Sequence, residues 1–273
     1  MRQFDCTTLN VVESIEDFVA RILEIKGRHN ATTWYRGHSE ASYQLVPTIG
    51  RQHKYNGKKI NFSPEQERHL LHRFRRRIYP HVGQILNEWE ALLLARHHAL
   101  PTRILDWSRL PLVALYFAAS ENQKCDGDVW AMVRLDNIDH DLDVLELSTV
   151  DTGKSPFNIF DPAPKSRRGV IPDAVKILHP FYNSARIVSQ DGVFTLHSNP
   201  VHPLDEYANK RFHDDRLDID HLIRIPIPSD AKQRLVKQLD MFAINRRTVF
   251  PDLDGIAKHL CEVETMWRGD DDK

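Results

Sequence analysis

The sequence predicts a single α+β domain with a helical region inserted between strands. Three observations carry this. Segments with apolar residues at helical spacing are interleaved with short β-branched and aromatic runs closed by glycine or proline. No internal repeat or low-complexity tract divides the chain. Finally, 273 residues at 41% hydrophobic and 27% charged composition are enough for one full core. The expected organisation is an N-terminal helical segment over residues 1–30, a main domain over 31–265 with a helical insertion at about 63–99, and a frayed tail at 266–273.

The first helix is predicted from Ser14, followed by Glu16 and Asp17, with Phe18, Ile22 and Ile25 on one face and Gly27 at the end. Thr32 to Gly37 reads as a strand that delivers Arg36 at its end, and Tyr43 to Leu45 continues as an extended segment. Ser63-Pro64-Glu65 marks a helix start, with Leu70, Leu71, Phe74 and Ile78 as its buried stripe up to Pro80. A second helical pattern covers Ile85 to Ala99, and Leu100-Pro101 forces the backbone into an extended form, so Thr102 to Leu105 reads as a short strand.

Pro111 opens a helix that is apolar nearly all round, and such a helix belongs at the centre of a fold. Asp128 to Leu135 is a buried strand by composition, and Val144 to Leu147 offers another. Asp151 to Pro172, rich in proline, glycine and basic residues, reads as a surface loop. Ser184 to Ser198 reads as two strands meeting at Asp191-Gly192, a hairpin signal. Leu222 to Pro226 is a strand, and helices follow from Pro228-Ser229-Asp230 to Met241 and from Leu253 to Val263.

Charge and cysteine usage exclude several function classes. Lys plus Arg number 37 against 38 Asp plus Glu, so no overall field draws the chain to nucleic acid or a membrane. Arg73, Arg75, Arg76 and Arg77 spread around a helix and read as a solvated face before a phosphate contact. Cys6, Cys125 and Cys261 are too far apart and odd in number for a disulfide framework, which points to a reducing, cytoplasmic setting. No run has signal-peptide or membrane-spanning character. His97, His98, His179, His197 and His202 lack metal-ligand spacing, so packing roles are expected and no metal is implied, with His98 or His197 a general base only if it reaches a cleft.

The informative polar groups lie between core-forming runs. Thr102, Arg103, Asp106 and Ser108 sit between a mixed helix and the very apolar one, and Arg36 sits in Trp34-Tyr35-Arg36-Gly37. Stranding such groups without partners costs roughly 1 to 3 kcal/mol each, so either a binding cleft or internal pairing must account for them. Arg36 fits a phosphate contact, because its guanidinium is a fixed fork and Gly37 lets an anion approach the backbone; the other reading is an ion pair with Asp106. Ser108 reads equally as a cleft wall or as the cap of the helix at Pro111, and Arg103 reads as part of the wall. Phe250-Pro251-Asp252-Leu253-Asp254-Gly255 reads as a turn and helix cap.

Four ordered motifs, WYRG, ARHHALPTRILDWSRLPLVALYFA, RIVSQDGVFTLH and VFPDLDGIAKHL, resemble the FRG domain family over roughly Trp34 to Leu260. The motif order is also distantly similar to ADP-ribosyltransferases of the Arg-Ser-Glu type, which implies a split mixed/antiparallel sheet of that type. By this resemblance NAD is the substrate and no metal is needed. Tyr35, Arg36, Gly37, Thr102, Arg103, Asp106 and Ser108 would bind the dinucleotide, Arg36 also serving catalysis. Gln190 or Asp191 would take the third catalytic position, where this sequence departs from the usual glutamate. On an extended segment only one of the two would face the cleft. The resemblance implies a mono-ADP-ribosyltransferase, a growth-arresting toxin of bacterial anti-phage defence acting on nucleic acid, such as RNA, or on protein, with an antitoxin as partner. A non-catalytic nucleotide- or RNA-binding module is the alternative.

Overall fold

The computed structural model describes residues 2–3, 5–29, 31–134, 145–146, 156, 174–180, 184–207, 211–212 and 219–270. In chain order the elements are β1 (Arg2–Gln3), β2 (Asp5–Thr8), α1 (Ile15–His29), β3 (Thr32–His38), β4 (His53–Tyr55), β5 (Lys58–Ile60), α2 (Pro64–Val82), α3 (Glu88–His97), β6 (Ile104–Ser108), α4 (Pro111–Ala119) and β7 (Gly127–Arg134). There follow β8 (Leu145–Glu146), β9 (Val175–His179), α5 (Ala185–Gln190), β10 (Gly192–His197), β11 (Arg211–Phe212), β12 (His221–Ile227), α6 (Ser229–Met241), α7 (Arg246–Val249) and α8 (Leu253–Asp270).

Eight strands form one mixed sheet in the order β2-β12-β7-β3-β6-β10-β9-β8, parallel at β2–β12 and β8–β9 and antiparallel elsewhere. The α+β class expected from the sequence is what the molecule has. The centre of the sheet is its weak point: β3 and β6 meet in register only at Tyr35 and Ser108, whereas β3 pairs β7 along its whole length. Strand alternation sends Trp34 to one core with Trp107 and Trp130, and Tyr35 to another with α1, α4 and α6. A third core joins α2 and α3 to Ile104, Leu178, Phe194 and Leu196 on the other half of the sheet.

Local signals fix the helix ends. Ser63 and Gln66 form a capping box at the start of α2, and Gly83, left-handed at φ 71°, closes it. The helix therefore runs past Pro80. Asn87 and Glu90 form a second capping box, so α3 starts at Glu88 and not at Ile85. α1 continues through Gly27 to His29, α8 extends to Asp270, and Tyr43 to Leu45 forms no strand. The loop expected at Asp151 to Pro172 lies outside the described residues apart from Pro156.

A change of element type also stands against expectation. Ser184 to Ser198 is not a hairpin but helix α5 followed by β10. Ser184 caps α5 by accepting from Ile187 N at 3.2 Å, and Asp191, at φ 41° and ψ 57°, is its left-handed cap. The Asp-Gly pair supplies the left-handed turn that a hairpin would need, and here that turn ends a helix. Gln190 and Asp191 are consequently a helix end and its cap, not neighbours on a strand.

Two contacts hold the cleft-forming elements together. A Cβ at Gly37 would stand 2.0 Å from the Ala114 carbonyl oxygen, so only glycine lets α4 lie against β3. In the insertion, buried Glu67 of α2 accepts from Arg103 backbone N at 2.8 Å, Nε at 2.9 Å and Nη2 at 2.7 Å. Gly37→Ala should lower stability by about 3 kcal/mol in denaturant titrations, because α4 must shift to admit the methyl group. Glu67→Ala should cost roughly 3 to 5 kcal/mol by the same measurement, since it leaves a buried guanidinium unpaired.

Candidate functional site

A cleft of about 330 Å³ opens where β3 and β6 diverge. β3 contributes Tyr35, Arg36 and Gly37, β6 contributes Asp106, Trp107 and Ser108, α3 contributes Arg96 and His97, α4 contributes Phe117, and α5 contributes Arg186 and Gln190. A larger groove of about 590 Å³ runs between α4, α6 and α8. Its charges are of both signs, and its arginine, Arg246, is already paired with Glu262 at 2.6 Å. The cleft at the sheet join has the more directed chemistry.

Asp106 is its centre. Arg96 Nε donates to both carboxylate oxygens at 3.0 Å and Arg96 Nη2 also bonds Oδ2, while Arg96 Nη1 reaches Thr48 Oγ1 at 2.8 Å. Burial acts to raise the Asp106 pKa, but Arg96, and then Arg36 and Arg186, prevail and hold it at about 2. Arg36 Nη1 donates to the Asp106 backbone oxygen at 2.7 Å, and Arg36 Nε donates to His38 Nε2 at 3.1 Å. These bonds use two of the five N–H donors of Arg36, and its Nη1 also stands 3.8 Å from Asp106 Oδ2, so the ion pair with Asp106 that the sequence offered as the other reading is present. Burial pulls the Arg36 pKa down to about 9, opposed by Asp106, so it stays cationic at neutral pH.

Arg186 is the third guanidinium, 4.8 Å above the Phe250 ring. Burial lowers its pKa, opposed by Asp106. Burial, Arg186 and His98 lower the pKa of His97. Three guanidinia therefore face one carboxylate, a surplus of two positive charges in a cleft that Phe117 also lines. Such a site suits a doubly negative group carried by a partly flat, apolar molecule.

The remaining sequence candidates divide. Ser108 lines the cleft, but its hydroxyl donates to the Gln190 backbone oxygen and accepts from Leu110 N at 3.0 Å. It pins α4 and α5 to the sheet join. Gln190 lines the cleft with its Nε2 donating to Val249 O at 3.0 Å. Asp191, Thr102 and Arg103 are not among the lining residues. Arg103 is taken up by Glu67, and Thr102 O accepts from Ile49 N at 3.2 Å. Buried His197 bonds Thr195 at 2.9 Å, and burial, with Arg36 and Arg103, drives its pKa to about 3. It is a neutral core residue and not a base in the cleft.

Arg96 and Arg186 lie inside two of the quoted motifs, as the second residue of ARHHALPTRILDWSRLPLVALYFA and the first of RIVSQDGVFTLH, yet the sequence pattern gives neither a role. The available signal was their position on helices beside otherwise apolar residues, such as Ala91, Leu92 and Ala95 around Arg96. Arg73, Arg76 and Arg77 are exposed, and Arg75 donates to Leu86 O at 2.7 Å, so the basic run on α2 faces solvent and one loop carbonyl. Among the described residues no group of three or more His, Cys, Asp or Glu is placed to hold a metal ion. Among them, too, no helix is long and apolar enough to cross a membrane. All three cysteines are free thiols.

Residues 31–127, from the residue before β3 to the first residue of β7, match the family model of the FRG domain. The match covers the two motifs around Arg36 and Asp106; the motifs at Arg186 and Val249 lie beyond it. No curated protein and no solved structure matches the chain.

The low Asp106 pKa has a measurable consequence. A depressed carboxylate stabilises the fold above its unfolded value near 3.8 and loses that contribution as pH falls toward 2. Unfolding curves should show stability declining across this window in the wild type, with a shallower decline in Asp106→Asn.

Proposed function

We propose that the cleft binds NAD and that the protein is a mono-ADP-ribosyltransferase. The observation that carries this reading is the convergence of Arg36, Arg96 and Arg186 on a single carboxylate in one cleft. The surplus of two positive charges matches a pyrophosphate, and the fork of Arg36 matches its oxygens bidentately. A sheet joined by one residue pair, with the arginine strand and the serine strand on either side, is also the arrangement the Arg-Ser-Glu resemblance implies.

In this reading Arg36 and Arg186 hold the pyrophosphate, and Phe117 offers a flat face to a ring of the dinucleotide. The N-glycosidic bond to nicotinamide breaks with its electron pair leaving on the nicotinamide nitrogen. The ribose carbon, positively charged in the transition state, is then attacked by a nucleophile of the acceptor, which releases a proton. Asp106, ionised at any physiological pH, holds Arg36 and Arg96 in place for the pyrophosphate. Gln190 takes the third position and hydrogen-bonds a ribose hydroxyl without carrying charge, and Asp191 stays outside. The acceptor class is nucleic acid or protein, and the setting is a toxin held in check by an antitoxin in anti-phage defence.

A specific observation favours a second reading, a non-catalytic nucleotide- or RNA-binding module. The Gln190 amide is already bonded to Val249 and the Asp106 carboxylate to Arg96, so neither is idle. Purified protein incubated with labelled NAD and cellular RNA, DNA or protein separates the two. Release of nicotinamide with transfer of label supports the transferase; NAD binding without nicotinamide release supports the module. In either case Arg36→Ala should weaken NAD binding on the order of 100-fold, since losing a charge-assisted fork costs about 3 kcal/mol. Arg36→Lys should recover only part of this. For the toxin, expression should arrest growth in the wild type and not in Arg36→Ala.

A further inference from the structure

Arg36 is not aimed by its own strand alone. Alternation along β3 puts Arg36 and His38 on the same face, and the register pairs His38 with Asp128 of β7. On the next strand Pro226 of β12 faces Asp128, and Arg224 stands two residues away. A row of polar groups therefore crosses three adjacent strands beneath the cleft. Arg36 Nε donates to His38 Nε2 at 3.1 Å, His38 Nδ1 faces Asp128 Oδ1 at 3.3 Å, and Arg224 Nε donates to Asp128 Oδ2 at 2.8 Å. His38 is 3% exposed and Asp128 is fully buried.

The direction of the first bond decides the chemistry of the rest. A guanidinium Nε can only donate, so His38 Nε2 must hold a lone pair and the ring proton must lie on Nδ1, toward Asp128. Asp128 Oδ1 stands 3.3 Å from Nδ1, outside hydrogen-bond geometry, and its negative charge lies on the side where that proton sits. We propose that His38, with its Nε2 lone pair taken by Arg36 Nε and its ring proton on the Asp128 side, is the positioning residue that fixes the plane of Arg36 and turns the rest of its fork into the cleft. The inference rests on the reading of the cleft as an NAD site. Protonating His38 would remove the acceptor and place a second cation against Arg36, so the device is intact only while the imidazole is neutral.

The groups around His38 favour the neutral ring. Burial lowers its pKa, Asp128 opposes this, and Arg36 and Arg51 add to the lowering. The Tyr43 ring packs edge-on at 6.1 Å. Acid should therefore weaken NAD binding only below pH 6.5, the ordinary value from which His38 is displaced downward. Asp106 stays ionised through that range, and protonation of His97, which lines the cleft, acts in the opposite sense by adding positive charge. The NAD pyrophosphate is a diester and does not titrate there.

The test is NAD affinity by calorimetry on the full chain as a function of pH, for the wild type, Arg36→Ala, His38→Leu and His38→Gln, with the melting temperature of each. His38→Leu removes the acceptor and should weaken binding by roughly tenfold, about 1.4 kcal/mol. His38→Gln restores an acceptor where Nε2 stood, so its affinity should return to near that of the wild type while the acid-dependent loss disappears. If His38→Leu does not fold, the Gln variant and its pH profile decide. No NAD binding by the wild type, or undiminished binding by Arg36→Ala, overturns the NAD site and this inference together. Loss of binding in Arg36→Ala with unchanged affinity in His38→Leu, or with the acid limb persisting in His38→Gln, overturns the positioning role alone. Equal weakening in Leu and Gln variants would overturn it as well, since an acceptor at that point would then be irrelevant.

Discussion

The Asp106 carboxylate is the point on which the rest of the cleft depends. It stands on β6 beside the one residue pair that joins the two halves of the sheet, and it draws guanidinia from elements far apart in the chain. Arg96 comes from the inserted helices and Arg36 from the strand across the join. Without a charge at Asp106 these cations would repel one another in a partly buried space, and the carboxylate would be costly to bury without them. Each needs the other. The assembly still keeps more positive than negative charge, and that excess gives the cleft its chemical character.

The cleft also explains why the sheet is continuous along β3–β7 and nearly broken at β3–β6. Full pairing at the join would fill the space with backbone hydrogen bonds and leave no room for Arg36 to reach across. Ser108 compensates by bonding the ends of α4 and α5 to the strand that carries it, so the gap is bordered by fixed elements. Gly37 plays the matching part on the other side, where α4 comes so close that a side chain is excluded.

Much of this was legible in the sequence, and the limits have physical causes. The strand ending in Tyr35-Arg36-Gly37, the proline-started α4 and the capped α2 are set by local residues, and they appear where those residues predict. The Asp191-Gly192 pair reads as a hairpin in sequence because its left-handed preference serves a strand turn and a helix end equally; Ser184, a helix cap, is the discriminating residue. Arg36, Asp106 and Ser108 could be singled out because polar groups between apolar runs need partners. Arg103 met the same criterion but for a different reason, since its partner is Glu67, some 36 residues away in sequence. Arg96 and Arg186 escaped notice because a charge on a helix looks the same whether it faces water or a cleft until the helix is docked.

The docking of α2 and α3 has a bearing on how the site comes into being. Arg103 and Glu67 clasp the inserted helices to the sheet, and the same helices bring Arg96 to Asp106. A chain that has built its sheet but not yet seated those helices has no finished cleft, only an isolated acid beside Arg36. The finished cleft is thus a property of the completed tertiary structure, because Arg96 meets Asp106 only where the inserted helices are seated.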